Sequence, residues 1–233
     1  MRRLVQLLVA SALVAGTVVT FAGAGQAQTG SGDLAAFCAA RIEANSADTK
    51  AENVAVITKI LAAAPPAISS PVSQLLDLVK KQGNKAFESK PGAALLAQIE
   101  PYIYDNCPGR QVPVTAIDYE YQGMPATMPA GVAKFKLTNA APKEDHMIVI
   151  APVIPGNENT PIDKILALPD KKAGKVIDFQ HAGFAEAKPG TSGYVPMTLT
   201  PGKYIYACFF PEGGKKNGTP HYKLGMEGSF TVS

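Results

Sequence analysis

Four residues in the C-terminal half of the chain, His146, Cys208, His221 and Met226, offer two imidazoles, one thiol and one thioether. Those are the donors of a type 1 copper centre. In such a centre a thiolate makes a strong in-plane bond, two neutral imidazoles complete the plane, and a weak axial thioether tunes the redox potential. Each residue alone has a plainer use: a free Cys packs as a small hydrophobe, and single His and Met residues serve turns and cores. Together, and all on β-type sequence, they point to one copper ion as cofactor, with no catalytic residues.

The flanking stretches extend the pattern. Asn139 to Ile150 reads N-A-A-P-K-E-D-H-M-I-V-I. Pro201 to Val232 reads P-G-K-Y-I-Y-A-C-F-F-P, a Gly-rich loop, then P-H-Y-K-L-G-M-E-G-S-F-T-V. This arrangement resembles the cupredoxin family, in which a first His follows an Asn-containing turn and the Cys, second His and Met come from one loop near the C-terminus. The resemblance covers the second half of the chain, about 120 residues on the domain-size scale, and does not reach the first. It implies that Cys208 ends a strand, that His146 comes from a neighbouring strand, and that a rigid β-sandwich holds copper nearly unchanged in both oxidation states. From His221 to Met226 the spacing H-x-x-x-x-M agrees with the family. Between Cys208 and His221 the family usually places only a few residues, so Glu212 to Thr219 reads as an insertion. The segment H-Y-K-L-G-M-E-G looks most like the type 1 domain of copper nitrite reductases, which also tolerate a longer Cys-to-His loop.

An enzyme of the oxidase or nitrite reductase type needs a second copper centre with several more His, and the chain has three His in all. In those enzymes a His adjoins the Cys, whereas here the neighbours are Ala207 and Phe209. No P-loop, H-E-x-x-H, G-x-S-x-G or Cys-x-x-Cys motif occurs. The expected function is therefore non-enzymatic: a one-electron carrier or copper-handling protein serving an unidentified redox partner protein. The alternative is a metal-free, cupredoxin-like interaction module of the cell envelope. His181 reads as a surface residue, and Met124 and Met128 as turn or core residues with a second soft Cu(I) contact as the other option. Asn217-Gly218-Thr219 has the form of a glycosylation acceptor and reads first as a tight turn.

The elements that must position these residues fall into two halves. Met1 to Ala27, with Arg2, Arg3, an apolar run and small residues near Ala24 and Ala27, has the form of a cleaved secretory signal peptide, which implies a secreted or periplasmic protein. No later stretch is long and apolar enough to span a bilayer. Removing that leader leaves 20 basic against 19 acidic residues, a balance that argues against nucleic acid as partner. Cys38 and Cys107 bracket the Ala- and Leu-rich first half, and in an oxidising compartment their pairing is the simplest reading. Cys208 is then the odd thiol.

Helical periodicity runs through Leu34 to Ile42, Val54 to Leu61, Val72 to Phe87 and Gly92 to Tyr104. Ser46 or Asp48 is placed to cap the second helix, and Pro65-Pro66 to stop it. Beyond Val112 come short β-branched and aromatic runs: Ala116 to Tyr121, Gly131 to Thr138, His146 to Val153, Val195 to Leu199, Lys203 to Phe209 and Gly228 to Val232. The expected fold is two-domain, α then all-β. A small disulfide-stapled helical bundle (28–107) is followed by a cupredoxin-like antiparallel β-sandwich (108–233), after a leader over 1–27.

Overall fold

The structure is a computed structural model that describes residues 32–233; the expected leader over 1–27 lies outside the described residues. The first half is helical: α1 (Leu34–Glu43), α2 (Lys50–Ala63), α3 (Pro66–Gln82), the single turn α4 (Lys85–Glu88) and α5 (Lys90–Asn106). The cap of α2 is Thr49, not Ser46 or Asp48. Its hydroxyl accepts from Glu52 N while the Glu52 carboxylate accepts from Thr49 N, a reciprocal box that satisfies two donors at once. Pro65-Pro66 ends α2 and opens α3 directly, because proline needs no N–H at a helix start. The single helix expected over Val72 to Phe87 is corrected: α3 stops at Gly83, where φ is 62°. Phe37, Ile57, Ile60, Val72, Leu75, Val79, Ile99 and Ile103 fill the bundle core, and Cys38 is bonded to Cys107 at its edge.

The second half contains β1 (Arg110–Ile117), β2 (Glu120–Gln122), β3 (Thr127–Met128), β4 (Gly131–Asn139) and β5 (His146–Pro152). After the short helical turns α6 (Ile162–Leu166) and α7 (Asp170–Ala173) come β6 (Gly183–Ala187), β7 (Ser192–Leu199), β8 (Gly202–Ala207) and β9 (Glu227–Val232). They form two sheets, ordered β2-β1-β4-β7 and β3-β9-β8-β5-β6. The expected antiparallel sandwich is corrected to a mixed one, since β1 pairs with β4, and β3 with β9, in parallel. Alternation along a strand decides which face is buried and leaves strand direction open. The run Ala116 to Tyr121 is likewise not one strand: Asp118 takes φ 48° and turns the chain, so Ile117 pairs with Glu120.

Between the sheets, Val114, Phe135, Leu137, Ile148, Ile150, Val195 and Phe230 form the core, continuous with Cys208 and Met226. A fully buried side chain of this size contributes roughly 1.5–3 kcal/mol. On β4, Phe135 faces inward and Lys134 faces out, yet Lys134 is 3% exposed because the bundle covers it. Its ammonium donates to the carbonyls of Tyr104 and Cys107 at the end of α5. Asn45 Nδ2 donates to Pro196 O at 2.6 Å, and the rings of Tyr104 and Tyr194 meet at 5.6 Å. Polar anchoring thus joins the bundle to the β4–β7 edge of the first sheet, on elements that carry none of the four donor residues.

Candidate metal centre

Antiparallel pairing of β5 with β8 brings the start of one beside the end of the other: Val149 lies opposite Ala207. His146 opens β5 and Cys208 follows β8, so the register itself makes them neighbours. The turn before His146 is fixed by Asn139, which is 1% exposed. Its amide donates to Glu144 O and Ala187 O, both at 2.8 Å, and its oxygen accepts from Ala141 N.

The Cys-to-His segment solves its own length problem. His221 N donates to Phe210 O at 2.9 Å, Glu212 N donates to Thr219 O at 2.9 Å, and Pro211 and Pro220 form a bridge. The inserted residues 212–219 are therefore closed at their base, which returns the chain to His221 beside Cys208. Tyr222 N donates to Cys208 O, Cys208 N to Met226 O, and Met226 N to His221 O. Gly225, at φ 109°, ends the turn His221–Leu224 in a left-handed conformation and swings Met226 back inward. Cys208, Met226, His146 and His221 are all 0% exposed.

His146 Nδ1 and His221 Nδ1 lie 3.3 Å apart, and Cys208 Sγ lies 3.4 Å from His221 Nδ1. The three donor atoms fall within 4.8 Å of one another, and Cys208 is the free cysteine. For a metal with bonds of about 2.0 Å to nitrogen and about 2.3 Å to sulfur, a trigonal set has edges of about 3.5 and 3.7 Å. The two edges that meet at His221 Nδ1 are a few tenths shorter, and a small outward adjustment admits an ion. Both Nδ1 atoms face inward, while both Nε2 atoms are buried without a hydrogen-bond partner. With the protons on Nε2, two lone pairs converge on the sulfur.

Burial, then the neighbouring His221, pulls the pKa of His146 down to about 4. His221 is lowered by burial, with Glu144 and Glu212 opposing. Both rings are thus held neutral, the form that ligates metal. Burial pushes the Cys208 thiol up to about 11, opposed by the Met147 and Phe210 N–H groups and the Tyr121 hydroxyl. A cation at this point reverses that last preference, because a coordinating thiol is deprotonated outright.

Two imidazoles, a thiol and a thioether, brought together in one buried place, are the donor set typical of a type 1 copper site. Copper is the metal they fit. No family model matches the chain, and no curated protein matches it. Among solved structures, the chain is similar to dithionite-reduced auracyanin from Roseiflexus castenholzii, at 21% identity over 54% of this chain and 98% of that one, with a TM-score of 0.36. It is similar to auracyanin A, a "blue" copper protein from Chloroflexus aurantiacus, at 19% identity over 52% and 99%, with a TM-score of 0.32. A multicopper oxidase matches at 15% identity over 53% of this chain and 44% of its own, with a TM-score of 0.31.

The other sequence candidates fall outside the centre. His181 is exposed and contacts Asp178 at 2.6 Å. Met128 is buried in the sandwich core and Met124 packs against it. Sequence reasoning missed two neighbours: the Tyr119 ring, which meets His221 edge-on at 4.9 Å, and Glu144, whose carboxylate lies 3.7 Å from His221 Nε2. Tyr119 had a legible signal, a Asp118-Tyr119 pair inside an apparent strand. Glu144 had none beyond standing two residues before a ligand.

Proposed function

We propose that the protein is an exported mononuclear copper protein that carries single electrons between redox partner proteins. The observation that carries this is the convergence of His146 Nδ1, His221 Nδ1 and Cys208 Sγ at one fully buried point, with Met226 bonded through its backbone to both Cys208 and His221. His146, Cys208, His221 and Met226 would hold the ion. Bound there, copper supplies a one-electron Cu(II)/Cu(I) couple.

The chain's own residues do the rest. The β5–β8 register and the bonds among residues 208, 210, 221, 222 and 226 fix the donors before any metal arrives, so little movement accompanies a change of charge. Zero exposure of all four side chains excludes water. Cys208 gives up its proton on loading. A carrier rather than an enzyme is favoured because His181, the remaining His of the chain, is exposed and paired with Asp178, leaving no imidazoles for a second copper centre. Export is supported by the Arg2-Arg3 leader and by the Cys38–Cys107 disulfide, a bond that persists in oxidising compartments.

The test is to load the reduced, metal-free protein with Cu(II) and record the visible spectrum. An intense Cys-to-copper charge-transfer band near the red end, absent in Cys208→Ser, is expected. A colourless protein, folded and with Cys208 titratable as a free thiol, overturns the reading in favour of a metal-free interaction module.

A further inference from the structure

The geometry points to Glu144 as a positioning residue that serves as acceptor for the Nε2–H of His221 and ties that ligand to the inserted loop. The inference rests on the copper reading above for its effect on potential, but its geometry belongs to the protein alone.

His221 presents Nδ1 to Cys208 and His146, so as a neutral ligand it carries its proton on Nε2. That nitrogen is buried and has no hydrogen-bond partner. Glu144 Oε2 lies 3.7 Å away. This is longer than a hydrogen bond, which runs to about 3.2 Å, and a small side-chain adjustment closes it. Glu144 is well held for the task. Its carbonyl accepts from the buried Asn139 amide at 2.8 Å, and both its carboxylate oxygens lie 3.1 Å from Gly213 N in the inserted loop. Gly213 takes φ 65°, a conformation that favours glycine, and this turns its N–H toward the carboxylate.

Metal-bound His residues characteristically donate their outer N–H to a carboxylate or carbonyl, which fixes the ring and raises its basicity. A more basic imidazole beside a negative charge favours the more highly charged Cu(II) state. His146 Nε2 is also without a partner, but among the described residues a carboxylate within 4.0 Å accompanies His221 Nε2 and not His146, which assigns this control to His221. Glu212 is the competing carboxylate. Its Oε1 contacts the Tyr119 hydroxyl at 3.5 Å, so it acts on the site as a charge at most.

The experiment compares Glu144→Ala, Glu144→Gln and Glu212→Gln by copper reduction potential and, without metal, by 15N NMR of the imidazoles. For Glu144→Ala the Cu(I) to Cu(II) affinity ratio is expected to rise about tenfold, equal to about 59 mV for one electron. Glu144→Gln, which keeps an acceptor oxygen and loses the charge, should fall between it and the parent. Glu212→Gln should shift the potential less than either. In the metal-free protein His221 should carry its proton on Nε2, and Glu144→Ala should speed exchange of that proton several-fold.

Equal shifts from Glu212→Gln and Glu144→Gln would show that charge alone acts and would overturn the inference. So would an unchanged potential in a blue, folded Glu144→Ala. If the parent protein binds no copper, the functional reading fails by itself, and the metal-free exchange rates still decide whether Glu144 holds His221.

Discussion

At the scale of single residues, the site is a set of preferences that a bound cation such as copper reconciles. Without metal, the rings must stay neutral and the thiol protonated, and pH attacks both ends of that arrangement. His146 titrates at about 4 when folded against an ordinary 6.5, so as pH falls the unfolded chain takes the proton first. Stability is therefore full above about 6.5 and is lost as pH falls through about 4. Cys208 titrates at about 11 against 9.0, so the folded state keeps its proton longer and stability is lost as pH rises from about 9 to about 11. Denaturant melts of the metal-free protein should show a plateau between those limits. A profile flat from pH 4 to 11 counts against the burial of these groups. For the loaded protein, Met226→Leu should keep the blue band and raise the reduction potential, because losing an axial donor weakens the higher oxidation state. Loss of the band would instead make Met226 essential to binding. All four donors were legible in the sequence by type and order. Glu144 was not, since neither proximity to a ring nor a side chain's aim is written in spacing.

At the scale of elements, the inserted segment is the instructive case. Twelve residues between Cys208 and His221 look too long for a compact ligand loop. The pairing of Phe210 with His221 and of Glu212 with Thr219 removes the excess by folding it outward. Replacing 212–219 with a two-residue Asn-Gly turn, which suits such a closure, should leave the copper spectrum nearly intact. Its potential should move toward that of Glu144→Ala, because Gly213 is lost. A folded variant that cannot hold copper would show that the insertion itself shapes the site. The exposed Lys215 and Lys216 give the loop a positive tip, and changing both to Glu should alter electron exchange with acidic partners at low salt and not at high salt. An unchanged rate with every partner assigns the tip no steering role. Elements were legible where one period dominated: β4, β5 and β8 lie close to their expected bounds. The β1–β2 turn was hidden because Asp118 interrupts an otherwise continuous apolar alternation. β6 was hidden because Gly183–Ala187 carries one aromatic and no β-branched residue.

At the scale of the whole molecule, the bundle is fixed to the sheet that carries none of the ligands. Removing the staple with Cys38→Ser and Cys107→Ser should cost about 4 kcal/mol in the chain-entropy account for a loop of this length. The copper spectrum should not change, which simultaneous denaturation and absorbance measurements would check. A spectral change would mean the bundle reaches the site through the sandwich. Lys134 is the polar link. Its pKa is lowered by burial, and Lys134→Met would leave the carbonyls of Tyr104 and Cys107 without their donor, at about 1–3 kcal/mol for each buried unsatisfied group. That variant should separate the melting of the two halves, and a single unchanged transition would show that apolar contact alone joins them.

The sequence by itself determined the two-part division, the Cys38–Cys107 pairing, and the chemical identity of the metal centre. These depend on residue type, on periodicity and on cysteine parity, all of which are local or countable. Only the tertiary structure decided the mixed strand directions, the closure that cancels the insertion, the burial of both imidazoles and the place of Glu144 beside one of them. Those depend on which chain segments meet across the sandwich. A carboxylate two residues before a ligand carries no mark of the ring it faces until β5, β8 and the loop between Cys208 and His221 have been folded against each other.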